Sequence, residues 1–176
     1  MIADCKKRKP KPIPAKTMDG FCNIFPSVEV NQDINEMFLF HGTNKKAAES
    51  IAKYGFDLQK ANLSGLYGGG TYCADFSCKS VHYTNKTEDL RALIICRVLM
   101  GKAEWTKKEL SGSKEAPDGK QSVFAQEGVS RDGKQKHNEY VTYASDQGEV
   151  MQQEQRSFSK RNKCMSDTKS LAIGLT

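Results

Sequence analysis

The chain has 176 residues, a net charge of +6 and 38% apolar residues. That length fits one compact domain with tails. No apolar run approaches the roughly 20 residues needed to span a membrane, so no membrane association is expected. Five positive charges crowd into Lys6-Lys7-Arg8-Lys9-Pro10-Lys11 and account for most of the excess. The remainder is nearly balanced, which argues against a domain that binds nucleic acid over its whole surface.

Residues 1–20 read as a flexible basic arm, with Pro10, Pro12 and Pro14 opposing regular structure. Lys6 to Lys9 suit a nuclear-import signal and Lys6 to Lys11 a nucleic-acid contact, so the expected location is nuclear or cytoplasmic, with the basic run favouring the nucleus. Order is expected from Phe21. Met37 to Phe40 reads as a short buried strand, and it leads into His41-Gly42-Thr43. Asn44 can cap a helix that runs to Tyr54, with Ala48, Ile51 and Ala52 inward and Gly55 as the stop. Asp57 to Gly70 is a glycine-loosened loop, Thr71 to Ala74 a short strand, and a helix follows from Asp75 or Ser77 to about Tyr83.

Ala92 to Met100 is the strongest strand, apolar enough to be covered on both faces. Residues 107–121 and 126–137 read as polar loops around a brief strand at Ser122 to Ala125. Glu139 to Tyr143 alternates as a strand does. The polar stretch 148–176 reads as a loosely ordered tail, leaving 21–147 as the ordered domain. There is no run of βαβ units, and the glycines at 65, 68, 69 and 70 do not form GxGxxG, which opposes a Rossmann domain. The six cysteines are scattered without CxxC and suit reduced thiols. Cys73-x4-Cys78-x3-His82 lacks a fourth ligand at ordinary spacing, so no metal is expected.

Residue types at the strand edges suggest one chemistry. Cleaving a sugar from a cationic nicotinamide ring creates positive charge that a partly desolvated carboxylate, here Glu139, can stabilise. Tyr72 and Tyr83 offer faces to a flat cation. Ser80, one helical turn before Tyr83, can hold a carboxamide, and His41 can bond a ribose hydroxyl. Taken singly, each of these residues is more often structural than catalytic.

Seven segments in order carry a resemblance. They are Leu39-Phe40-His41-Gly42-Thr43, Gly55-Phe56-Asp57, Tyr67-Gly68-Gly69-Gly70-Thr71-Tyr72-Cys73-Ala74-Asp75, Lys79-Ser80-Val81-His82-Tyr83, Ile95-Cys96-Arg97-Val98-Leu99-Met100-Gly101, Pro117-Asp118-Gly119-Lys120-Gln121-Ser122-Val123 and Asn138-Glu139-Tyr140-Val141. Together they resemble the catalytic domain of poly(ADP-ribose) polymerases over about residues 34–147. The resemblance implies an α+β ADP-ribosyltransferase fold: two small, mostly antiparallel sheets, short flanking helices and an NAD cleft. It implies a His41, Tyr72, Glu139 triad. His41 contacts the adenosine-side ribose, and Gly42 and Ser80 hold the carboxamide. Tyr83 and Tyr72 flank the nicotinamide, and Glu139 bonds the nicotinamide ribose and orients the acceptor.

NAD is then a co-substrate, and the implied partners are protein side chains, those of the chain itself included, that accept ADP-ribose in mono or poly form. Where relatives often place Arg after the Gly-Phe-Asp segment this chain has Gln59, so Lys60 is the expected pyrophosphate contact. Gly148-Glu149-Val150-Met151-Gln152 stands in place of the family's final-strand motif, so a missing last strand is expected. These departures leave a catalytically impaired NAD or ADP-ribose binding module as the alternative.

Overall fold

The computed structural model describes residues 9–15, 24–84, 91–110, 112–127, 137–151 and 170–172, with backbone alone for Arg91 and 170–172. In chain order the elements are β1 (Glu36–Gly42), α1 (Lys45–Tyr54), β2 (Thr71–Cys73), α2 (Ser77–Val81), β3 (Arg91–Leu99), β4 (Ala103–Thr106), β5 (Ser122–Ala125), β6 (Glu139–Thr142), β7 (Gly148–Val150) and β8 (Ser170–Ala172). Single 3-10 turns occur at Gln32–Ile34, Leu58–Lys60 and Ser145–Gln147.

Two four-stranded sheets form the α+β fold expected from the sequence. In the first, β3 lies between β1 on one side and β7 and β8 on the other; the β8 pairing is parallel. The second runs β2-β6-β5-β4, antiparallel except for β4 with β5. The sheets meet where Phe40 and Ala74 exchange backbone hydrogen bonds of 2.8 and 2.9 Å. That junction sets the end of β1, with His41 and Gly42, beside β2, with Tyr72. Buried Gln147 ties the sheets again: its amide nitrogen donates to the carbonyls of Leu99 and Gln121 at 3.1 and 3.0 Å.

Local chemistry explains the elements. The Asn44 side chain accepts from the Ala47 N–H at 2.9 Å and starts α1. Gly55, at φ 79°, ends it in a conformation that side chains disfavour. Ala48 is buried on the inner face and Ile51 packs partly against the main core. β3 contributes Ala92, Ile94, Cys96 and Val98 to that core, where they meet Met37, Leu39, Phe124 and Tyr140. It is the continuous apolar run that its double coverage requires.

Three expectations are corrected. Residues 9–15, read as part of a flexible arm, pack on the domain. Buried Ile13 joins the main core, its N–H donates to the Asn35 side chain at 2.9 Å, and the Tyr140 hydroxyl donates to the Pro14 carbonyl at 2.5 Å. Proline's pre-set extended backbone suits such a strap, and burying Ile13 adds about 2 kcal/mol. Residues 148–150, read as tail, form β7, and backbone pairing of Cys96 with Val150 and Val98 with Gly148 fixes the register. A last strand is therefore present at this edge without the family's motif, because ladder hydrogen bonds come from the backbone. Ala103 to Thr106, absent from the sequence reading, supplies β4. Lys6, Lys7 and Arg8 lie outside the described residues. Among the described residues no helix is long and apolar enough to cross a membrane.

Candidate active site

A cleft of about 720 Å³ opens at the junction of the sheets, within the size range of small-molecule sites. His41, Gly42, Tyr72, Tyr83, Glu139 and Lys60 all line it. Residues scattered over nearly a hundred positions thus share one concavity, with residues of α1 and of the 55–66 segment also in its lining.

His41, near the end of β1, bonds through Nδ1 to the Tyr72 carbonyl at 2.9 Å. A carbonyl only accepts, so Nδ1 carries the proton in that bond. The Phe56 ring meets the imidazole edge-on at 5.2 Å and fixes its plane. Burial pulls the His41 pKa down, but contact with Cys73 and the Tyr72 carbonyl outweighs this, and the net direction is up.

Gly42 is dictated by a close approach. A Cβ there would lie 1.7 Å from the Ser80 carbonyl oxygen. Ser80, on α2, is buried, and its hydroxyl donates to the Phe40 carbonyl at 2.9 Å. Ser80 therefore fastens α2 to β1. Its donor is committed there, and toward a ligand only its acceptor lone pairs remain.

Tyr72 belongs to β2. Its hydroxyl accepts from the Tyr67 N–H at 2.9 Å and donates to the Gly68 carbonyl at 2.8 Å, pinning the glycine-rich loop. Burial raises the phenol's pKa and keeps it protonated for that donation. The Tyr143 hydroxyl donates to the Tyr67 carbonyl of the same loop. Tyr83 lies just past α2, lines the cleft and is 55% exposed, so its ring is open to a ligand.

Glu139 opens β6, a strand flanked by β2 and β5, and is only 3% exposed. It sits in the sheet's interior rather than at its edge. Its Oε1 is 2.7 Å from the Lys79 Nζ. Burial lowers the lysine's pKa, yet the hydrogen bond and charge of Glu139 more than offset this and raise it, so the ammonium is retained. The same Nζ is 5.4 Å from the centre of the Tyr83 ring. Lys60, in contrast, is exposed and pairs with Asp57 at 3.3 Å across one turn.

Sequence reasoning missed Lys79 and Phe56. The signal for Lys79 was its spacing: it precedes Tyr83 by four residues, the helical distance that puts both on one face. Among the described residues no group of three or more His, Cys, Asp or Glu side chains is arranged to hold a metal ion.

A family model for the poly(ADP-ribose) polymerase catalytic domain matches residues 19–167. The chain belongs to this family. Curated relatives agree: the protein mono-ADP-ribosyltransferase PARP12 of Mus musculus is 32% identical over 71 residues, 40% of this chain and 10% of the relative. The poly [ADP-ribose] polymerase tankyrase of Caenorhabditis elegans is 39% identical over 77 residues, 42% of this chain and 3% of the relative. Human PARP12 is 32% identical over 69 residues. The chain thus covers a tenth or less of these relatives' lengths. Domains of this family use NAD+ as substrate.

Proposed function

We propose that the chain is an NAD+ ADP-ribosyltransferase that transfers ADP-ribose to protein side chains and releases nicotinamide. The observation that carries this reading is buried Glu139 in the same cleft as His41, Tyr72 and Tyr83. NAD+ supplies a glycosidic bond to a cationic leaving group. The Nε2 of His41 accepts from the adenosine-side ribose, and the backbone of Gly42 meets the carboxamide. Ser80 reinforces that contact with an oxygen lone pair. Tyr72 and Tyr83 flank the flat cationic ring. Glu139 bonds the second ribose, stabilises the positive charge that develops on it and orients the acceptor. Lys60 meets the pyrophosphate as an exposed point charge. The cleft's size fits such a ligand, and the Gly42–Ser80 approach leaves its wall free of a side chain at that point.

The acceptors are side chains of other proteins or of the chain itself, in nuclear or cytoplasmic surroundings. A nucleic-acid role for Lys6 to Lys11 has less support, since Lys9 pairs with Asp33 at 2.9 Å and Lys11 sits over the Trp105 ring at 3.5 Å. A second reading, a binding module without turnover, is favoured by the Ser80 hydroxyl's commitment to Phe40.

Intact mass after incubation with NAD+ separates the two. Addition of one or more ADP-ribose units to the chain or to an added protein supports transfer. Saturable NAD+ binding by calorimetry, with unchanged masses and no free nicotinamide, supports the binding module instead.

A further inference from the structure

Two thiols that the proposed reaction does not use meet beside His41. Cys73 ends β2 in one sheet, and Cys96 lies in β3 of the other. The β1 strand brings them together. Its Phe40 bridges to Ala74, the residue after Cys73, and its Leu39 pairs with Cys96. Both cysteines are unbonded to other sulfurs and buried in the main core, 4% and 0% exposed. Their thiols hydrogen-bond to each other, and the Cys73 thiol also hydrogen-bonds to the His41 imidazole.

The two thiols are unequal. The hydrogen bond from Cys96 outweighs the cost of burial and, with the His41 imidazole, holds Cys73 below the usual thiol range. Burial, then the contact with Cys73, pushes Cys96 up. The proton therefore stays on Cys96, whose Sγ also lies 4.0 Å from the Ile94 carbonyl. A thiolate is the form that attacks an oxidant, and a neighbouring thiol resolves the product.

We propose that Cys73 and Cys96 form an oxidation site for hydrogen peroxide, closing to a disulfide that joins the two sheets beside the NAD+ cleft. The Cys73 sulfur attacks one peroxide oxygen. The S–O bond forms as the O–O bond breaks, and the leaving hydroxide takes up the proton that Cys73 gave up. The Cys96 sulfur then attacks the sulfenic sulfur of Cys73. The S–S bond forms as the S–O bond breaks, and the second hydroxide leaves as water with the Cys96 proton. Two thiols thus lose two electrons to one peroxide, which ends as two waters. Cys73 follows Tyr72 of the cleft lining, so a small oxidant in the cleft is one residue from the thiol. In a reducing compartment such a bond is transient, as in a redox sensor.

Bonded sulfurs stand about 2.05 Å apart, closer than hydrogen-bonded thiols. Closing that gap draws β2 toward β3 across the strand that carries His41. The imidazole keeps the Tyr72 carbonyl and the Phe56 ring but loses a hydrogen-bonding thiol. Weaker NAD+ binding follows. That effect rests on the place of His41 in the transferase reading, whereas the cross-link does not.

The reduced full chain is treated with hydrogen peroxide until exposed Cys78 has gained oxygen, then digested at its aspartates. Asp75 separates Cys73 from Cys78, so their peptides are distinct. The expected product joins the Cys73 peptide to the Cys96 peptide, is lighter than their sum by two hydrogens, and is undone by dithiothreitol. In Cys96→Ala no such product forms and Cys73 gains oxygen instead; the mapping in the parent needs no variant. NAD+ affinity is read by calorimetry in Cys78→Ser, which removes the exposed thiol. Peroxide lowers it by roughly 10-fold, as for loss of one hydrogen bond, and dithiothreitol restores it. Cys73 and Cys96 that stay unlinked, or Cys73 joined to another cysteine, overturns the proposal. So does a Cys73–Cys96 bond that leaves NAD+ affinity unchanged. A reduced chain that binds no NAD+ overturns the transferase reading instead, and the mapping still decides whether the pair closes.

Discussion

The cleft lining holds two carboxylates, Glu139 and Asp57, that each pair with a lysine, and the pairs are built differently. Lys79 and Glu139 join a helix to an interior strand across 60 positions of sequence, with little water around them. Asp57 and Lys60 sit one turn apart on a 3-10 turn, with side chains 46% and 74% exposed. In water the attraction is screened and side-chain entropy opposes it, so the exposed pair contributes about 0–1 kcal/mol. In the buried pair, loss of either partner strands a charge. Rigid chemistry thus sits at the Glu139 end of the comparison and adaptable electrostatics at the Lys60 end. The glycine-rich loop that also lines the cleft is tied down by the hydroxyls of Tyr72 and Tyr143.

The largest effect is expected where the rigid end has no slack. Gly42→Ala sets a methyl group against the Ser80 carbonyl, backbone against backbone. A loss of about 2–3 kcal/mol is expected, read as a melting temperature lower by roughly 5–10 °C, together with weakened NAD+ binding. A variant that melts and binds like the parent would mean that α2 can move away from β1 freely, and the rigid end would not be rigid.

A smaller effect tests the glycine-rich loop. Burial pushes the Tyr143 phenol from 10.0 up to about 12. The folded state thus favours the protonated form more than the unfolded state does. That stability is fully present below pH 10 and is lost as pH rises from about 10 to about 12. Tyr143→Phe should flatten this part of an alkaline stability profile, and an unchanged slope would remove Tyr143 from the account. The smallest effect belongs to the exposed end. Lys60→Ala should change stability by less than about 0.5 kcal/mol, and any fall in NAD+ affinity should diminish with added salt. A loss as large as that of Gly42→Ala would erase the distinction between the two ends.

Much of this was legible in the sequence, for reasons that differ by element. β1 and β3 announce themselves by apolar runs, and α1 by Asn44 and Gly55 at its ends. His41, Tyr72 and Glu139 were readable through the family resemblance that seven ordered segments carry, since residue type alone favoured a structural role, and the structure sets all three on one cleft. β4 and β7 were not readable. Ala103–Thr106 is only four residues with Glu104 among them, and Gly148–Val150 pairs through its backbone. The strap at residues 9–15 was hidden by its prolines, which signal the absence of regular structure but say nothing of docking. Lys79 was hidden because its partner is distant in sequence, and a charged residue beside a serine on a short helix resembles an ordinary solvated position. Chain order reveals side-chain type and local period. It does not reveal which charge will be sealed from water.

The central claim is that buried Glu139 makes this cleft a transferase site. Release of labelled nicotinamide from NAD+ by the parent and by Glu139→Gln, at matched NAD+ occupancy, tests it most directly. Turnover by the parent and a fall of about 100- to 1,000-fold in the variant, as for loss of a group that stabilises transition-state charge, is the predicted result. A parent that binds NAD+ without releasing nicotinamide, or a Gln variant as fast as the parent, would contradict it.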